Sequence, residues 1–206
     1  MQCREHLFKI LVIGDGKVGK TSIVNRYAND KFSKDYRMTV GVDFTMKVVQ
    51  WSDTDTVRLQ LWDIAGQERF ISMTRIYYKE ASGCVVAFDV TNFNSFCSCI
   101  NWKKDLDSKA MLPSGALVPC ILLANKCDLA DWAVTKERIE QFSQEHGFIG
   151  WMETSAKDNK NISESVRYLV DHIMMSHSKD SWPQEKKEDC VNLERTVPEN
   201  NEQGCC

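Results

Sequence analysis

The run Gly14-Asp15-Gly16-Lys17-Val18-Gly19-Lys20-Thr21 fits the pattern G-x-x-x-x-G-K-[ST]. Its chemistry is phosphate binding. Glycines let successive backbone N–H groups converge on phosphate oxygens, Lys20 reaches the outer phosphates, and the Thr21 hydroxyl can ligate Mg²⁺. A glycine-rich surface turn is the plainer alternative, but this run lies between an apolar strand pattern (Phe8–Ile13) and a helical one (Lys20–Ala28). That setting aims a helix N-terminus at the anion. The motif calls for a nucleoside triphosphate without saying which base.

A second run, Trp62-Asp63-Ile64-Ala65-Gly66-Gln67-Glu68, ends another apolar strand pattern. Asp63 can hold a metal through water, Gly66 can offer its N–H to a γ-phosphate, and Gln67 can orient an attacking water. An acid that merely caps a helix would look the same in isolation. The base is indicated by Asn125-Lys126-Cys127-Asp128. The Asp128 carboxylate can accept from both N1–H and the 2-amino group of guanine. Adenine would leave that carboxylate unpaired in a buried site, at a cost of several kcal/mol. Glu153-Thr154-Ser155-Ala156-Lys157 can add a backbone N–H for the guanine carbonyl. Each run alone is an ordinary loop; their order at successive strand ends is what points to GTP or GDP.

These loops need strands that end together. Val42–Trp51 and Val57–Ile64 read as a hairpin joined through Ser52–Thr56, and Cys84–Val90 and Cys120–Ala124 as strands buried on both faces. Ser95–Lys109, Thr135–Gly147 and Ile162–His177 carry helical spacing, with Gly147 as a stop. Alternating strands and helices predict an α/β domain: a mostly parallel sheet covered on both faces, with its ligand beyond the strands' C-terminal ends. The chain divides at His177. Residues 178–204 are polar, contain Pro183 and Pro198, and carry four basic against seven acidic side chains, so the tail holds the whole net charge of −3. It is expected to be a disordered tether of residues 178–206 behind a 1–177 domain.

The remaining composition mostly excludes. In 206 residues, 43% hydrophobic and 27% charged, there is room for one ordinary core. A net charge of −3 argues against nucleic acid as a partner. No apolar run is long enough to span a bilayer, and Met1–His6 lacks a secretory pattern, so a cytosolic protein is expected. The nine cysteines are odd in number, and several lie in apolar runs, so reduced and mostly buried thiols are expected. Asn161-Ile162-Ser163 is expected to start a helix and not to carry a glycan. No histidine has a partner at metal-ligand spacing.

Together these runs resemble the Rab family of Ras-like small GTPases over residues 7–177. The resemblance implies a P-loop, Ras-like G domain with a six-stranded, mostly parallel sheet, one strand antiparallel, and helices on both faces. It implies that Asp15 to Ser22 surround the phosphates and that Phe32 stacks on guanine. Thr39, in Thr39-Val40-Gly41-Val42-Asp43-Phe44, would ligate Mg²⁺ beside Thr21 and Asp63 only in the GTP state. Phe44, Trp62 and Tyr77 match the aromatic triad through which Rabs display that state, although buried switch packing would place aromatics there too. Ile64 departs from the usual Thr and resembles the branch of lysosome-related organelles and the trans-Golgi network, as do Gln50-Trp51-Ser52-Asp53 and Asp131-Trp132-Ala133-Val134. Lys17 also departs, adding either a charge near the phosphates or only a solvated lysine. The ending Gly204-Cys205-Cys206 resembles the doubly geranylgeranylated Rab terminus, and two lipid chains hold where one is marginal.

By that resemblance the chain hydrolyses GTP slowly, with Lys20 and Gln67 as catalytic residues and an activating protein supplying missing charge. Its partners would be effectors, an exchange factor, a GTPase-activating protein, a GDP-dissociation inhibitor and the prenylation machinery. It would sit on the cytosolic face of Golgi, endosomal or lysosome-related membranes, with a soluble inhibitor-bound pool. Ser72 and Thr74, close after Gln67, are candidate phosphorylation sites or plain surface hydroxyls. The rival classes are a non-hydrolysing scaffold, against which intact Gln67 and Thr39 count, and a small-molecule kinase, for which no arginine-rich lid is evident.

Overall fold

In the computed structural model, the described residues are 4–35, 38–66 and 74–177. One six-stranded sheet carries them, formed by β1 (Arg4–Ile13), β2 (Val42–Gln50), β3 (Asp55–Ile64), β4 (Gly83–Asp89), β5 (Cys120–Asn125) and β6 (Gly150–Thr154). Their spatial order is β2-β3-β1-β4-β5-β6. β2 runs antiparallel to β3, and all other pairs are parallel. The expected architecture, with its single antiparallel strand, is therefore the observed one. The helices are α1 (Lys20–Asn29), α2 (Thr74–Tyr78), α3 (Phe93–Lys109), α4 (Lys136–Glu145) and α5 (Ile162–His177).

Side-chain alternation along each strand divides the core in two. Leu11, Ile13, Ile64, Val86, Phe88 and Leu122 face α3 and α4. Ile10, Val12, Leu59, Val85, Ile121 and Leu123 face α1 and α5. Both layers are buried, so β4 and β5 read as unbroken apolar runs. Helix starts follow local chemistry: the Asn92 and Thr135 side chains accept from the Ser95 and Arg138 N–H groups. Gly147 has φ 67°, as expected of a helix stop. Asn161 immediately precedes α5, and its side-chain amide donates to the Glu153 carbonyl. Among the described cysteines Cys84, Cys99 and Cys120 are buried, Cys97 is exposed, and all are free thiols.

Strand β1 extends to Arg4, four residues earlier than the apolar run, because Arg4 and His6 pair with Asp55 on β3. Those ligands and Ser52 hold the Asp55 carboxyl well below the usual carboxylate range, with His6 the largest contributor. Thr74 opens the short helix α2. No helix among the described residues is long and apolar enough to cross a membrane.

Candidate functional site

Beyond the C-terminal ends of β1, β3, β4 and β5 lies a cavity of about 870 Å³. The phosphate-loop run forms its floor. Gly14 takes φ 139°, and a Cβ on it would fall 2.2 Å from the Ala87 carbonyl oxygen. No other residue lets β1 leave so close to β4. Lys20 opens α1 with its side chain folded back over the loop, and its ammonium donates to the Gly14 and Asp15 carbonyls at 2.9 Å each. It is buried, and that burial pushes its pKa down to about 8 against the opposing pull of Asp63 and Asp15. Phosphate oxygens would return the missing negative charge.

Lys17 lies exposed on the cavity rim in a left-handed turn, φ 67°. Val18 instead turns into the core. Asp15 faces away from the cavity, where it accepts from the Trp102 indole at 2.8 Å. Gly16, Gly19, Thr21 and Ser22 line the cavity itself.

Three oxygen ligands meet at one wall. Thr21 Oγ1 donates to Asp63 Oδ2 and lies 2.8 Å from Thr39 Oγ1, while Thr39 Oγ1 reaches the same Asp63 oxygen at 3.3 Å. The other carboxylate oxygen, Asp63 Oδ1, is buried without a hydrogen-bond partner. Burial is the chief cause that raises the Asp63 pKa above the ordinary range. An orphaned buried carboxylate oxygen beside two hydroxyls fits a small hard dication. Mg²⁺ characteristically takes few protein oxygens and completes its shell with water and phosphate.

At the far end Asp128 accepts from Ser155 Oγ at 2.7 Å and from the Lys157 ammonium at 3.3 Å. Burial opposes its ionisation, but those two donors prevail and hold its pKa below the usual value. The carboxylate is thus an anionic acceptor fixed in direction. Asn125 lies buried with its amide on the Val18 carbonyl at 2.8 Å, tying the base end to the phosphate loop. Lys126 takes a left-handed φ of 65° and pairs with Asp89 at 2.6 Å. Phe32, Ala156 and Lys157 line the cavity around this end.

Thr39 and Gly66 close in from the sides. Phe44, half exposed on β2, meets Trp62 of β3 edge-on at 5.8 Å, and the Lys9 ammonium lies 3.9 Å over the Trp62 ring. Tyr77 packs partly buried on the same core. Gln67, Ser72, Cys205 and Cys206 lie outside the described residues, as does the side chain of Thr74.

Sequence reasoning missed three supporting residues. They are Trp102 on α3, Asp89 at the end of β4 and Arg26 on α1. Only the fold brings them to Asp15, Lys126 and the Ala156–Lys157 turn respectively.

Comparison with known proteins agrees with this geometry. Residues 9–175 match the model of the Ras family. The Ras-related protein Rab-7L1 of Homo sapiens is 56% identical over 206 residues, covering 100% of both chains. The Ras-related protein Rab-32 of Homo sapiens is 52% identical over 208 residues, 100% of this chain and 92% of that one. Rab-32A of Dictyostelium discoideum is 50% identical over 182 residues, covering 87% and 83%.

Proposed function

The chain belongs to the Ras family, among its Rab-related members, and is a GTP hydrolase; on that premise we propose a membrane-trafficking switch that recruits effectors only while it holds GTP. One observation carries the reading. A single cavity joins a buried lysine and an oxygen cluster suited to Mg²⁺ at one end to an oriented carboxylate suited to guanine at the other.

The residue roles in this reading are as follows. Asp128, Asn125, Lys126 and the Ser155–Lys157 turn bind and orient the base, and Phe32 covers it. Lys20 and the N–H groups of Gly16 to Ser22 hold the phosphates. Thr21, Thr39 and Asp63 would hold Mg²⁺, which would neutralise phosphate charge. Gln67 positions water in line with the γ-phosphate, and Lys20 stabilises charge that develops on the leaving oxygens. Among the described residues no arginine lines the cavity. Turnover is therefore slow until a partner supplies one, which in Ras is worth about 10⁵-fold.

Hydrolysis removes the group to which Thr39 and Gly66 are held, the surface around Phe44, Trp62 and Tyr77 relaxes, and effectors leave. Residues 1–177 form the switch, and 178–206 form a tether ending in two geranylgeranylated cysteines, Cys205 and Cys206. The tail is acidic, so anchoring on Golgi, endosomal or lysosome-related membranes comes from lipid and not from attraction to anionic headgroups. An exchange factor, a GTPase-activating protein and a GDP-dissociation inhibitor complete the cycle. Phosphate on Ser72 or Thr74 would add negative charge where partners dock.

The test is to load the purified full chain with GTP and Mg²⁺ and follow bound GTP against GDP over hours. Slow conversion that Gln67→Leu abolishes is expected. Persistent GTP in the unmodified chain would instead make it a scaffold.

A further inference from the structure

We propose that Arg26 is a positioning residue for guanine recognition, its guanidinium stapling the Ala156–Lys157 turn to α1 so that the turn's free N–H groups face the base. The inference rests on the guanine site described above. Arg26 Nε donates to the Ala156 carbonyl at 2.9 Å, and Nη2 donates to the Lys157 carbonyl at 3.2 Å. Nη1 donates to both the carbonyl and the carboxylate of Asp30 at 3.0 Å. The side chain is 15% exposed; its Nε bond to Ala156 is half-buried, and the other three are exposed.

The consequence lies in peptide geometry. In a trans peptide the C=O of one residue and the N–H of the next point in opposite directions. Holding the Ala156 carbonyl toward α1 therefore aims the Lys157 N–H away from α1. Within this turn the N–H groups of Ser155, Asp158 and Lys160 are already taken, by the Lys160 carbonyl, Ser155 Oγ and the Ser155 carbonyl. Among the described residues, those of Ala156 and Lys157 meet no acceptor and are open to a ligand, and both residues line the cavity. Arg26 also fixes the end of α1 at Asp30, two residues before Phe32. One side chain thus sets the spacing between the base's polar edge and its aromatic cover. Lysine cannot substitute, because a single ammonium has no planar fork to reach three carbonyls together.

The experiment uses the full chain with Mg²⁺ and measures nucleotide release from wild type, Arg26→Gln and Arg26→Lys. Each is loaded with GDP or with the diphosphate of 2-aminopurine riboside, which lacks the 6-oxo group. Both variants are expected to release GDP about tenfold faster, the loss of roughly one well-made hydrogen bond. The analogue's release should change by less than about threefold, and single-turnover GTP hydrolysis should stay within about twofold of wild type. GDP release at the wild-type rate in both variants would overturn the proposal. So would equal acceleration of GDP and the analogue, which would reveal a purely structural role. Should Arg26→Gln fail to fold, Arg26→Lys carries the same comparison. Wild type that holds ADP as well as GDP would instead overturn the guanine reading on which the proposal stands.

Discussion

Replacing Gly66 with alanine should separate GTP binding from GDP binding. Gly66 has an ordinary negative-φ backbone, so alanine meets no dihedral penalty there; the constraint is space. A Cβ would lie 2.2 Å from Gly16 N, 2.5 Å from the Asp15 carbonyl carbon and 2.7 Å from Gly16 Cα. All three are backbone atoms. The loop that carries them is held by the two Lys20 hydrogen bonds and by Trp102 on Asp15, so it cannot yield cheaply. Ordinary contact begins near 3.4 Å, and the 65–66 segment must therefore retreat by about 1 Å or more.

That retreat takes the Gly66 N–H out of hydrogen-bond reach of a γ-phosphate. A hydrogen bond to a charged acceptor contributes about 1.5–3 kcal/mol, or roughly 10- to 150-fold in affinity. GDP has no γ-phosphate and makes no such bond. Competition binding of a non-hydrolysable GTP analogue and of GDP should show the analogue weakened by about 10- to 100-fold, with GDP held within about threefold. An unchanged ratio would refute the reasoning, because the close approach of Gly66 to Gly16 would then not be the GTP-holding arrangement. Equal weakening of both ligands would also refute it, by showing that the substitution damaged the phosphate loop itself.

Two further substitutions probe the sheet end and the metal. Ile64 is fully buried in the core under β3. Ile64→Thr buries a hydroxyl there, at a cost of about 1–3 kcal/mol, so the GDP-bound melting temperature should fall by several degrees while GDP release is unchanged. An unchanged melting temperature would mean that the hydroxyl finds a partner. Chelating Mg²⁺ should speed GDP release from wild type by tenfold or more, whereas Thr21→Ala, already fast, should respond by less than about twofold. Full and equal acceleration in both would remove Thr21 from the metal site.

The fold was legible because each element satisfies one rule at a time. Buried strands such as Cys84–Asp89 are unbroken apolar runs, and capping residues such as Asn92 and Thr135 stand where the helices begin. That the phosphate and base loops line one cavity was legible for a related reason: each is a short motif of residues close together in sequence, where spacing alone is informative. What escaped is what acts across the fold. Arg26 lies 130 residues from Ala156, and Trp102 lies 87 from Asp15, and neither residue type is unusual on a helix. Strand β1 began early because Arg4 and His6 find Asp55, 51 and 49 residues away, and no local pattern encodes that pairing.

The same division explains why the site is electrostatically incomplete by itself. Lys20 and Asp63 are both buried, and burial disfavours the charged form of each, lowering the pKa of one and raising that of the other. They attract one another, yet that attraction does not restore either to its ordinary value. A triphosphate beside Lys20 and a dication beside Asp63 would correct both deficits at once. The stability of the sheet's C-terminal edge is therefore linked to ligand occupancy. Thr39 hydrogen-bonds within this cluster, so a change of ligand at the phosphates reaches its segment directly. Through the β2–β3 pairing it also reaches the exposed ring of Phe44, which stands opposite Trp62, one residue before Asp63. The distance from the oxygen cluster to the proposed recognition surface is thus a few residues along two strands. A switch in this fold needs no long-range path, only a ligand whose charge the buried pair lacks.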